Sequence, residues 1–246
     1  MISKKVYFKP AIKKAVLLEG VPGIGNVGKI AIDFLVDTLK AKKMVSLKST
    51  GFPPSVYVNE KNLVEAPECS IYYVKGKKFD ILLLAGDVQP VDEEHSFELA
   101  YEVLNIAKEN KVDFIYCVGG IGLRQIPKSP RLFATSTDQK IIEEMEKKGF
   151  ETKLYGYVGP IVGLAGLLTG FSKDYGIKSA CILAETFGHP MYLGVKGARQ
   201  VIMFFKKELG LNINLKELDK EIIEIEKEIK KIKSIEPKAK PISYIG

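Results

Sequence analysis

The sequence predicts an α/β fold, with a mostly parallel sheet covered by helices on both faces. Two observations carry this expectation. Apolar, β-rich runs that end near glycine recur along the chain, and between them lie stretches whose apolar residues repeat at helical spacing. The first run, residues 15–19, is followed by a helical pattern over 27–40. Residues 43–75 break the alternation: strand-like runs at 44–48, 55–59 and 69–74 follow one another with no helical stretch between, which predicts an antiparallel insertion or sheet extension. Strand runs at 79–85, 112–118, 152–155 and 178–184 then alternate with helical patterns at 93–110, 138–148, 160–171 and 192–209.

After Leu209 the character changes. Leu211, Leu215, Leu218, Ile222, Ile225, Ile229 and Ile232 follow one another at alternating spacings of four and three in a Lys/Glu-rich stretch. That is a heptad seam, and isoleucine at its core positions favours assemblies above the dimer. The same helix could instead fold back on its own domain. Pro237 and Pro241 end it, so three regions are expected: an α/β domain over 1–209, a coiled-coil-like helix over 210–236 and a flexible tail over 237–246.

Composition narrows the function classes. With 46% apolar and 27% charged residues, the 246-residue chain can bury one sizeable core. The net charge of +7 comes from lysines interleaved with glutamates, without a stripe of basic and aromatic residues, so no nucleic-acid partner is expected. Residues 1–14 lack the apolar segment of a secretory signal, and the longest apolar stretch, 158–171, is too short and too rich in glycine to span a membrane. Cys69, Cys117 and Cys181 are odd in number, sit in strand-like runs and lack CxxC spacing. They read as buried, reduced thiols of a cytoplasmic protein. Abundant Lys, Glu and Ile with no Trp lean towards a heat-adapted source.

Several loops at strand ends are candidate sites. Gly23, Gly25, Asn26 and Gly28 belong to a GxGxxG run between a strand and a helix, the context in which backbone N–H groups hold a phosphate. The acidic residue that a dinucleotide site places about 20 positions later is absent, and glycines for a tight strand-to-helix turn explain the run equally. Gly120 and Gly122, followed by Arg124, Lys128 and Arg131, form a second candidate anion loop. Asp87, Asp92, Glu93, Glu94 and His95 offer metal-ligating chemistry or an ordinary acidic helix start, and Glu185 with His95 and His189 is a third combination. No nucleophile–base pair stands out, so no catalytic residue, cofactor or metal is assigned and enzymatic activity stays open.

Taken in order, residues 20–28 (GVPGIGNVG), 51–57 (GFPPSVY), 118–122 (VGGIG) and 159–164 (GPIVGL) resemble the archaeal proteasome assembly chaperone 2 family over about 16–209. The resemblance implies a three-layer α/β/α sandwich similar to nucleoside phosphorylases and homo-oligomeric assembly. For some members it also implies docking on the proteasome α-ring through a C-terminal hydrophobic–Tyr–any-residue pattern. Here Tyr244, Ile245 and Gly246 close the chain. Tyr244 stands one place early and follows Ser243, so the implied partner is either proteasome α-subunits or a paralogue. The expectation is a homo-oligomeric protein-interaction module, assembled through Leu215, Leu218, Ile222, Ile225, Ile229 and Ile232. The alternative is an enzyme or binding protein for a phosphate-containing small molecule held by the glycine loops.

Overall fold

The computed structural model describes residues 1–216, 218–220 and 222–224. Among the described residues there are ten strands: β1 (Ile2–Val6), β2 (Ala15–Gly20), β3 (Lys42–Ser49), β4 (Tyr57–Val58), β5 (Val64–Glu65), β6 (Cys69–Val74), β7 (Asp80–Gly86), β8 (Val112–Leu123), β9 (Leu132–Thr135) and β10 (Lys178–Phe187). The α-helices are α1 (Val27–Thr38), α2 (Glu93–Glu109), α3 (Gln139–Lys147), α4 (Leu164–Phe171) and α5 (Val195–Glu208). Eight strands form one sheet in the order β1-β3-β6-β7-β2-β8-β10-β9, while β4 and β5 pair as a separate two-stranded arm.

The sheet is mixed, not mostly parallel. Its centre, β7-β2-β8-β10, is parallel, but β1, β3 and β6 on one side and β9 on the other are antiparallel. The cause is local: residues 39–79 contain no crossover helix, so successive strands there can only return alongside one another. Residues 152–155, expected as a strand, are not one. Glu151 forms a lone bridge to Phe133, and β9 takes the sheet edge instead. β1 went unread because an edge strand of Ile-Ser-Lys-Lys-Val lacks a buried apolar face, and exposed lysines are what such an edge carries.

Strand alternation sorts the core into two halves. On β2, Ala15 and Leu17 face a cluster completed by Leu99, Val103 and Leu104 of α2 and by Leu164 and Leu168 of α4. Val16 and Leu18 face the opposite cluster, built with Ala31, Ile32 and Leu35 of α1, Ile141 and Met145 of α3, and Val201, Ile202 and Phe205 of α5. Helices therefore cover both faces. No helix among the described residues is long and apolar enough to cross a membrane.

Beyond α5 the chain turns back. Ile213 and Leu218 are buried against the second core half, and Leu211, Leu215 and Ile222 pack on it. The Lys206 ammonium donates to the Ile213 carbonyl at 2.8 Å, and Arg199 of α5 pairs with Asp219. Leu215, Leu218 and Ile222 of the heptad seam thus lie on their own domain. Ile225, Ile229 and Ile232 fall outside the described residues, as do Tyr244, Ile245 and Gly246.

Candidate functional site

The carboxyl ends of β2, β7 and β8 open into a cleft of about 850 Å³, roofed by α2 and by the loop leading into α4. Open α/β sheets bind ligands at such an edge because the connecting loops diverge there. Gln89 ties the roof together: its Nε2 donates to the Pro22 carbonyl at 2.5 Å, and its Oε1 accepts from the Leu164 N–H at 2.9 Å. The first and fourth glycine loops are thereby held on opposite sides of one opening.

The glycine loops divide between lining and packing. Gly23 faces open space on the cleft. Gly25 and Asn26 instead make the turn itself, both with positive φ (63° and 51°), and a Cβ on Gly25 would fall 2.5 Å from the Thr186 hydroxyl. Gly28 lies inside α1, pressed on the Val118 carbonyl. Gly120 and Gly122 line the cleft but back onto Ile24; a Cβ at Gly120 would sit 2.2 Å from the Ile24 carbonyl. Much of the GxGxxG signal is therefore the close approach of α1 and its turn to β8 and β10.

The most unusual side chain in the cleft is one that its sequence context did not single out. Glu19, on the central strand β2, is fully buried and lines the floor. Neither carboxyl oxygen has a hydrogen-bond partner. Burial pushes its pKa up to about 8; the backbone N–H groups of Val21 and Val118 and the Cys117 thiol oppose that rise without reaching hydrogen bonds of normal geometry. In the sequence the only signal is a lone acid between Leu18 and Gly20 in a buried strand.

The acidic segment after β7 serves structure. Asp92 caps α2, accepting from the His95 N–H at 2.9 Å and meeting its Nδ1 at 2.8 Å, while the other ring nitrogen lies 3.0 Å from the Thr50 hydroxyl. Hydrogen bonding to His95 holds Asp92 below the usual carboxylate range. Asp87 accepts from the Glu68 N–H at 3.1 Å. Glu185, His95 and His189 do not converge: His189 stacks on Phe187, and Glu185 belongs to Arg131 and Tyr157. No group of three or more His, Cys, Asp or Glu side chains able to hold a metal occurs among the described residues. Cys69, Cys117 and Cys181 are buried and free, and burial raises the pKa of all three thiols.

Arg131 is the cation of the Gly120 loop that finds an anion, and that anion is a side chain. Its backbone N–H and side chain grip Glu185, at 3.0 Å through Nε and 2.6 Å through Nη2, and Tyr157 adds its hydroxyl at 3.0 Å. Burial alone would raise the Glu185 pKa, but these hydrogen bonds outweigh it and hold the carboxyl below its usual value. Replacing Arg131 with Met should destabilise the protein at neutral pH, because the buried Glu185 loses its principal partners. That stabilisation is present above the unfolded carboxylate pKa and disappears as pH falls through the folded value. The melting temperatures of R131M and the parent chain should therefore converge in acid; a gap independent of pH would assign the loss to packing.

The lining has a definite charge. Asp92 and Glu93 make the mouth negative, Glu19 lies protonated beneath the floor at neutral pH, and no Lys or Arg occurs among the described residues that line the cleft. A phosphate group would meet like charge there.

Fold and cleft define an α/β protein with a mixed sheet and an acidic, largely apolar carboxyl-edge opening. The chain belongs to the PAC2 family, whose model matches residues 17–233. It is 29% identical to the uncharacterized protein MJ1210 of Methanocaldococcus jannaschii, over 100% of this chain and 98% of that one. Among solved structures it is similar to Pyrococcus furiosus PbaB, described as an archaeal proteasome activator, with 32% identity and a TM-score of 0.86 over 94% of this chain and 98% of that one. It is also similar to P. furiosus PbaA, described as an archaeal homolog of proteasome-assembly chaperone, with 26% identity and a TM-score of 0.78 over 95% and 92% of the two chains.

Proposed function

We propose that this chain is a homo-oligomeric protein-interaction module that works on the proteasome, as an assembly chaperone-like protein or a proteasome-binding adaptor in the cytoplasm. The observation that carries this reading is the end-to-end likeness to PbaB, which extends over 94% of this chain with a TM-score of 0.86. The α/β domain is the scaffold. Since Leu215, Leu218 and Ile222 are occupied on their own domain, self-association falls to the later seam positions Ile225, Ile229 and Ile232. Tyr244, Ile245 and Gly246 supply the docking peptide. Several tails carried on one assembly and facing repeated pockets bind by avidity, since each contact after the first is intramolecular.

Light scattering of the intact chain and of an Ile225→Lys, Ile229→Lys double variant tests the assembly. The intact chain should elute as a multiple of 27.3 kDa, and the variant should drop to a single folded chain. A single-chain mass for the parent would remove the avidity on which the docking depends.

A further inference from the structure

Glu19 sits in the middle of the sheet, where an apolar residue would fill the space without leaving polar atoms unmatched. A buried carboxyl without a partner forfeits its hydration with nothing in return, and both oxygens of Glu19 are in that condition. Glu19 nevertheless belongs to the lining of the cleft, with its buried carboxyl directly beneath the floor. The volume of about 850 Å³ lies within the roughly 300–1,000 Å³ of small-molecule sites. Val21, Ile24, Phe97, Ile161 and Leu167 give it apolar walls, and Asp92 and Glu93 add negative charge at its mouth.

We propose that this cleft binds a small molecule consisting of an apolar body and a protonated amine, with the ammonium seated on the Glu19 carboxylate. Each part of the ligand answers a feature of the site. The ammonium supplies the donors that both Glu19 oxygens lack and favours the ionised carboxyl by pairing with it. The apolar body covers the walls, and the acidic mouth attracts the cation towards an opening that offers it no competing positive charge. A charge buried against an opposite, hydrogen-bonded charge is tolerated where either alone is not. This site is independent of proteasome docking, which the proposed function places on the C-terminal tail.

The test titrates the full-length protein with 4-phenylbutylamine, with 4-phenylbutanol as the neutral control of similar shape, using calorimetry and thermal unfolding. The amine should bind saturably and raise the melting temperature by mass action, with affinity at least about tenfold above the alcohol's, as expected when a buried charge needs its counter-charge. Glu19→Gln should abolish that preference. Glu93→Lys, at an exposed position, should weaken the amine severalfold and leave the alcohol unchanged, a second readout that does not touch the sheet. Absence of saturable amine binding, equal affinity for amine and alcohol, or a Glu19→Gln protein that binds the amine as well as the parent would each overturn the proposal.

Discussion

Glu19→Gln should gain stability relative to the parent, in the ligand-free protein, as the solution becomes alkaline. Burial raises the carboxyl pKa from 4.5 to about 8. Between those values the folded state holds a proton that the unfolded chain has released. Wild-type stability therefore falls as pH rises through this window, by up to about 1.4 kcal/mol per pH unit. From pH 6 to pH 8 the difference accumulates to about 2 kcal/mol, or roughly 4–8 °C in melting temperature for a chain of this size. Glutamine keeps the shape and removes the ionisation, so its profile should lack this slope, and above pH 8 the two curves should run parallel. Parallel curves across the whole range would mean that Glu19 is solvated or paired in solution.

Gly28→Val should be among the most damaging single changes outside the large core side chains. A Cβ at Gly28 would lie 2.5 Å from the Val118 carbonyl oxygen and 3.1 Å from the Gly20 Cα, so two backbones, not flexible side chains, oppose it. Accommodating a β-branched residue means lifting α1 from β2 and β8, across the contact that Ala31, Ile32 and Leu35 bury. The expected cost is about 3 kcal/mol, at the upper end of overpacking penalties, and a melting temperature lower by roughly 6–12 °C. The same change separates two readings of the motif. A phosphate cradle would lose ligand affinity with little effect on the ligand-free protein, whereas a packing glycine loses stability with no ligand present.

Much of the architecture could be read from periodicity. The helical patterns at 27–40 and 93–110 correspond to α1 and α2, and the helix-free stretch 43–75 became β3, the β4–β5 arm and β6. What periodicity does not encode is direction. A buried run such as Leu82 to Leu84 looks the same whether its neighbour runs parallel or antiparallel, so a mixed sheet and a mostly parallel one share this pattern. Residues 152–155 carried too short a signal, and Phe133 and Ala134 of β9 took the edge position. The site divided similarly. Gly23, Gly120 and Gly122 were legible because glycine at strand ends marks a loop edge. Glu19 and Gln89 were not, because a lone acid in an apolar run and a glutamine in a loop acquire meaning only when Val118, Pro22 and Leu164 are brought beside them.

The most direct test of the proposed function mixes purified proteasome α-rings from the same organism with the intact chain and, separately, with a chain ending at Lys240. Size-exclusion chromatography with light scattering then follows each mixture. The intact chain should co-elute with the rings as a complex of summed mass, and the shortened chain should keep its own assembly and melting temperature but elute apart from them. Equal co-elution of both chains would contradict docking through Tyr244, Ile245 and Gly246, and co-elution of neither would contradict a function on the proteasome.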